Sequence, residues 1–186
     1  MASLMEDLLA GAACTAEVAE TVTRQLAGAG GGRLTDVLVL GGWADERVVL
    51  RVLALRAGTR FVTLEKLRTA KVDQDVLDRV PVRFAEAHSA LPLKLDAATG
   101  TLLIAAADPG AAGFLDDLKI VSGIETLVAL VALERGIQAA IRRFYYGDVT
   151  AFENLARKTA PPRASTRGRD TKEASLSKIF KLPDKE

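Results

Sequence analysis

The stretch that decides the fold runs from Leu102 to Gly123, LLIAAADPGAAGFLDDLKIVSG. Leu102, Leu103 and Ile104 lead into three alanines, an apolar run short enough for a strand covered on both faces. Asp108-Pro109 ends that run. Asp108 suits the N-cap of a following helix, and Pro109 lacks an N–H that the first helical turn would leave unpaired. Phe114, Leu115, Leu118 and Val121 then recur at helical spacing, and Gly123 stands where a helix ends in a left-handed residue. By its physics this is a scaffold: strand, sharp turn, amphipathic helix.

Outward from it the pattern continues. Asp96 to Gly100 reads as a hairpin-like turn between a strand over 90–95 and the strand 101–107, and residues 125–130 form another strand. A last helix runs to about Tyr146. Upstream, Phe61 to Leu64 is a short strand candidate. Asp73 suits the cap of a helix over 74–79 that breaks before Pro81, and a second helix spans about 82–88. The back half therefore predicts a small α+β sheet with helices packed on it. The front half is helical. Residues 3–12 and 15–27 suggest two short helices, the second with Thr15 as N-cap and Val18, Val22 and Leu26 on one face. Gly28 to Gly32 is a break. Arg33 to Arg56 reads as a short helix, a Gly-Gly turn and a longer helix capped by Asp45.

These readings divide the 186 residues into N-terminal helices with a Gly-rich break over 1–32, a domain over 33–147 (helical over 33–60, α+β over 61–147) and a basic tail over 148–186. Residues 157–186 hold nine Lys/Arg against four Asp/Glu, although the whole chain carries only +1. Thr159 to Ala174 is Pro-, Ser-, Thr- and Arg-rich with no large apolar side chains, the composition of disorder. Beyond it Leu176, Ile179, Phe180 and Leu182 make an apolar patch over 176–182 between lysines, either a docking helix on a tether or a frayed end. A near-neutral chain gives no electrostatic reason to expect nucleic acid. No apolar run approaches the ~20 residues that cross a bilayer, and the N-terminus lacks a signal peptide's apolar core, so no membrane insertion and a cytoplasmic location are expected. Cys14 is the single cysteine, which excludes an internal disulfide.

The central stretch also carries a resemblance. A strand, Ala-Asp-Pro, then Leu-Asp-Asp-Leu and a closing Gly resemble the N-terminal, MshEN-type domain of the type II secretion and type IV pilus assembly ATPases. Val80-Pro81 to Ala87-His88, with Leu91-Pro92-Leu93, resemble that family's "IP…ARRH.VLPL" segment, and Ile137 to Gly147 its closing helix. The likeness covers about 33–147. It implies a domain that docks onto secretion or pilus machinery, at the inner-membrane platform or the assembly ATPase, and that in some members binds cyclic di-GMP. The family's motor domain is missing from this sequence. No GK[ST] triplet occurs, and Gly28 to Gly32 is followed by Arg-Leu-Thr, so ATP hydrolysis is not expected. The chain is then an excised domain or a free-standing copy.

The family's ligand motif, RLGxxLVxxG…LxxxLxxQ, aligns with Arg33 to Gly42 and on to Leu53 and Arg56. The resemblance implies a cyclic di-GMP site that includes Arg33, Leu34, Thr35, Asp36, Leu38, Gly42, Leu53 and Arg56, with Arg83 in a second half-site near Val80 to Leu93. The chemistry suits those residue types. Arginine bonds the O6/N7 edge of guanine bidentately and stacks on its face, leucines floor the base, and N–H groups at a helix start donate to phosphate oxygens. Three positions depart from the pattern: Thr35 replaces glycine and adds bulk, Arg56 replaces glutamine, and Thr63 stands where an acid is common. Arg33 has a plainer reading as a solvated helix-start residue, and Leu34, Leu38 and Leu53 as core. A module without nucleotide binding, docking only to protein, is the alternative.

Elsewhere the residues read as structural. Asp116 and Asp117 are adjacent on a helix and point about 100° apart, so they cannot serve one substrate. His88 has no second ligand nearby for a metal. One His and one Cys assemble no nucleophilic set, and no catalytic residue is assigned. Trp43, after the Gly-Gly turn, is either a ligand- or partner-stacking side chain or a plug between helices.

Overall fold

A computed structural model describes residues 4–11, 13–28 and 33–159. The front half is two helical hairpins. Helices α1 (Leu4–Ala10) and α2 (Ala16–Gly28) form the first, α3 (Leu34–Leu40) and α4 (Glu46–Arg56) the second. The hairpins repeat at a constant offset of 30 residues: Leu4 and Ala10 correspond to Leu34 and Leu40, and the caps Thr15 and Asp45 correspond as well. Leu8 and Leu38 hold equivalent, fully buried positions. Their carbonyls take equivalent hydrogen bonds, from the N–H of Ala13 and of Trp43. Together with Val22 and Val49 they form the helical core, each side chain contributing about 1.5–3 kcal/mol of hydrophobic stabilisation. Asp45 caps α4 with its side chain, accepting from the N–H groups of Arg47 (2.8 Å) and Val48 (3.1 Å).

The connection between α3 and α4 depends on glycine. Gly42 has φ +72°, and a Cβ on Gly41 would lie 2.6 Å from both the Trp43 ring and the Val37 carbonyl. Trp43 thus lies against the turn it follows, with 41 % of its surface exposed.

The back half contains α5 (Leu64–Thr69), α6 (Gln74–Leu77), α7 (Val82–Ala87), β1 (Ala90–Asp96), β2 (Thr101–Ala106), α8 (Phe114–Ser122), β3 (Thr126–Val131), α9 (Glu134–Tyr146) and α10 (Ala151–Thr159). It is α+β, with a mixed sheet in the order β1-β2-β3. β1 runs antiparallel to β2 with Ala90 opposite Ala106, and β2 runs parallel to β3 with Ala106 opposite Val131. Helix α8 supplies the crossover that parallel strands need. Leu102, Ile104 and Ala106 are buried together with Ile137, Ala140 and Ile141 of α9. Tyr145 closes this core by donating its hydroxyl to the Val80 carbonyl at 2.7 Å.

Three expectations change. Phe61 to Leu64 is not a strand: Phe61 makes a single bridge to Val131, and the Thr63 hydroxyl accepts from Lys66 N–H to start α5. Asp108 does not cap α8. Gly113, at φ +78°, occupies the N-cap and the helix starts at Phe114, because the intervening residues Gly110 to Gly113 lengthen the turn. The stretch 148–159, expected as the start of the tail, holds α10, which packs on α9 and α3. Gly147 ends α9 in a left-handed conformation. The Asp148 side chain then accepts from Thr150 N–H at 2.9 Å, and Ala151 is buried. The Gly-rich residues 29–32 and the tail 160–186, including the patch 176–182, lie outside the described residues.

Candidate functional site

The helical and α+β parts meet at a joint built from α3, α4, the C-terminal end of β2 and the N-terminal end of α9. Leu50 of α4 packs on Val131 and Leu133, with Val39, Leu53, Phe61 and Leu64 around them. The Glu46 side chain accepts from Leu64 N–H at 2.5 Å, and burial raises its carboxyl above the ordinary value.

Polar contacts cross the joint. Arg33 places Nε 2.9 Å from Glu134 Oε2 and donates to the Ala107 carbonyl at 3.1 Å. Glu134 also accepts from the Ser89 hydroxyl at 3.2 Å. Asp36, 1 % exposed, accepts from the N–H of Arg135 at 3.4 Å through Oδ1, while its Oδ2 is buried without a partner. Burial pushes this carboxyl up to about 6. The Arg135 hydrogen bond and the Arg135 and Arg33 charges pull it down, and Glu134 pushes it up.

Beside these contacts lies a cavity of about 430 Å³, within the range of small-molecule sites. Leu4, Arg33, Leu53 and Arg56 line it from the helical side; Ala107, the Asp108-Pro109-Gly110 turn and Val131 line it from the sheet. Arg56 pairs there with Asp7 at 2.6 Å. The parallel strands β2 and β3 therefore point their carboxyl ends at this space, where α/β architectures commonly hold ligands.

Of the residues singled out from sequence, Arg33, Leu53 and Arg56 share this cavity. The others do not reach its lining. Leu38 is core, Thr35 is 5 % exposed, and Asp36 is turned to α9. Leu34 is half-buried in the helical core, and Gly42 sits in the exposed turn. Arg83 is exposed on α7, whose neighbours Phe84 and His88 stack at 4.3 Å. Asp116 and Asp117 are exposed on α8. Sequence reasoning missed the contribution of Ala107 to Gly110. The signal for it is the Asp-Pro-Gly turn at a strand's carboxyl end, which in sequence also resembles a helix start.

The architecture defines a two-part α+β module whose cavity lies at the joint between the parts. The MshEN domain family matches residues 58–151, half of the chain, and the chain belongs to that family. Residues of the type IV pilus assembly ATPase PilB of Myxococcus xanthus (strain DK1622) are 32% identical to this chain over 127 residues, 67% of this chain and 21% of that protein. The chain thus spans about a fifth of that relative's length. Two solved structures share the fold. The structure of MshE with cdg superposes with a TM-score of 0.55 at 23% identity, covering 78% of this chain and 100% of the other. The N-terminal domain of XpsE gives 0.51 at 23% identity, covering 75% and 92%. Among the described residues, no helix is long and apolar enough to cross a membrane.

Proposed function

We propose that the chain is a non-catalytic cytoplasmic regulatory module that holds cyclic di-GMP at the joint cavity and docks to a component of secretion or pilus machinery. The observation that carries this reading is the convergence of Arg33, Leu53 and Arg56, predicted from one sequence motif, on one cavity. Two guanidiniums beside an apolar side chain suit a ligand with anionic phosphates and flat guanine rings. The Nε of Arg33 is held by Glu134 and one terminal nitrogen by Ala107, which leaves its other terminal NH₂ for a base edge or phosphate. MshE, a relative in fold, was solved with this ligand.

Calorimetric titration with cyclic di-GMP, with GTP and ATP as controls, tests the proposal. Saturable binding at micromolar strength or better, lost in Arg33→Ala, is the expected result. No heat and no thermal shift at high ligand overturns it. The second reading, a protein-docking module without ligand, then stands. Its supporting observation is that Arg33 and Arg56 already have carboxylate partners in Glu134 and Asp7.

A further inference from the structure

A second cavity, of about 300 Å³, lies between α9 and α10 and shares no lining residue with the joint cavity. Arg135, Gln138 and Arg142 line it from α9 at i, i+3 and i+7, one face of a helix. Asn154 lines it from α10, and the buried Ala139 and Ala151 supply small apolar walls. Among the described residues no Asp or Glu lines it. The acids of the neighbouring elements are engaged elsewhere. Glu134 pairs with Arg33 and accepts from Ser89, and Asp148 accepts from the N–H and hydroxyl of Thr150. Asp36 accepts the backbone N–H of Arg135 and acts on its guanidinium only through its charge, and Glu153 is exposed on α10 outside the lining. Arg33 and Arg56 each hold a carboxylate at the joint. Neither Arg135 nor Arg142 has an ion pair of that kind among the described residues.

A cleft whose charged lining is of one sign concentrates counter-ions, and here that sign is positive. Arg135 and Arg142 lie two turns apart, about 10.5 Å along the helix axis, and their long side chains bracket Gln138. Gln138 gives one amide hydrogen to Glu134 at 3.5 Å, and Asn154 gives one to the Thr150 hydroxyl at 3.1 Å. Each amide keeps a second N–H, so all four polar side chains have donors for one ligand. Guanidinium forks match pairs of phosphate oxygens. The volume is at the lower limit of small-molecule sites, too small to seat a helix or strand of a partner protein. We propose that the α9–α10 cavity binds a small phosphate-bearing anion, of the size of a diphosphate or a simple phosphate ester, through Arg135, Gln138, Arg142 and Asn154. The anion bridges the two helices and holds α10 against α9. This site is separate from the joint cavity and does not rest on cyclic di-GMP binding there.

Calorimetric titration of the full chain with inorganic pyrophosphate tests this. Saturable binding is expected, weakened about tenfold or more in Arg135→Gln and in Arg142→Gln. Arg51→Gln, which removes an exposed arginine of α4, is the control and is expected to change the affinity by less than about twofold. No saturable heat at millimolar pyrophosphate overturns the proposal. So does binding that survives both cavity variants, or that falls equally in the control. Glycerol phosphate, titrated in parallel, separates the sources: tighter binding than pyrophosphate assigns a phosphate ester and weaker binding an inorganic phosphate, and both support the site. Heat from a triglutamate peptide but none from pyrophosphate overturns it in favour of an acidic protein segment. Hydrogen exchange needs no variant to fold. Amides of α10 are expected to exchange about tenfold more slowly at ten times the measured Kd, and unchanged exchange overturns the bridging of α9 and α10. Because the two cavities share no lining residue, failure here leaves the cyclic di-GMP question standing, and the reverse holds too.

Discussion

The Oδ1 of Asp36 accepts a hydrogen bond from the backbone N–H of Arg135, 99 residues away in sequence. This places an α3 carboxylate at the start of α9, where free N–H groups and the positive end of the helix favour an anion. Leu133, the N-cap of α9, cannot make that bond with its own side chain. The second hairpin therefore caps the main helix of the α+β part in trans. The arrangement couples the two halves at the edge of the candidate cavity, and it buries a carboxylate whose other oxygen has no partner.

That carboxyl is raised to about 6, chiefly by burial, from about 3.9 in an unfolded chain. A carboxyl raised on folding binds more protons in the folded state between those two values. Stability therefore falls as pH rises from about 4 to 6 and is constant above. Asp36→Asn keeps an oxygen for the Arg135 N–H and carries no charge to bury. The variant is expected to be more stable than the parent at pH 8 by about 1–3 kcal/mol, with the advantage gone at pH 4. Urea unfolding at the two pH values measures this; a variant less stable than the parent at pH 8 refutes the assignment.

The two hairpins have equivalent caps of unequal quality. Asp45 accepts two hydrogen bonds at 2.8 and 3.1 Å, while Thr15 accepts one at 3.4 Å from Val18. Asp45→Ala is expected to cost about 1–2 kcal/mol, and Thr15→Ala about half as much or less. Thermal denaturation of the two variants side by side distinguishes them, and equal losses contradict the difference in geometry.

Tyr145→Phe removes the hydroxyl that reaches the Val80 carbonyl at 2.7 Å and the Leu77 carbonyl at 3.3 Å. The phenol is partly desolvated and its pKa is raised, by burial first and the nearby Asp78 charge second. Losing that donor is expected to cost about 1–2 kcal/mol without altering ligand binding, since Tyr145 does not line the joint cavity. Chemical denaturation alongside the calorimetric titration checks both halves of the statement.

How much of this was legible in the sequence follows the range of the interactions. Asp45, Gly123 and the strands 90–95 and 101–107 act through neighbours a few residues away, so propensity and spacing locate them. Asp108 failed because an N-cap directly precedes the first helical residue, and the residues up to Gly113 postpone that start to Phe114. The α10 helix was legible in Ala151, Phe152 and Leu155 at helical spacing but was hidden by the basic composition that follows it. At the candidate site, the motif brought Arg33, Leu53 and Arg56 to one cavity. It could not reveal that Asp36 serves α9 or that Ala107 to Gly110 form the opposite wall. Both depend on pairings across 70 residues or more; the Asp-Pro-Gly turn marks where β2 ends but not what it faces.

Thr35 stands where the family pattern has glycine, and the sequence suggested that its bulk would crowd a ligand. The structure gives the opposite expectation. Thr35 is 5 % exposed and does not line the cavity, so removing its side chain opens no space for a nucleotide. Thr35→Gly is expected to leave cyclic di-GMP affinity within about twofold, in either direction. It should lower stability by about 1 kcal/mol or more through lost burial and the lower helix propensity of glycine. Titration calorimetry and urea unfolding of the same preparation measure both quantities. A tenfold gain in affinity would show that the ligand reaches the backbone at residue 35, and would move the proposed site from the joint cavity to the face of α3.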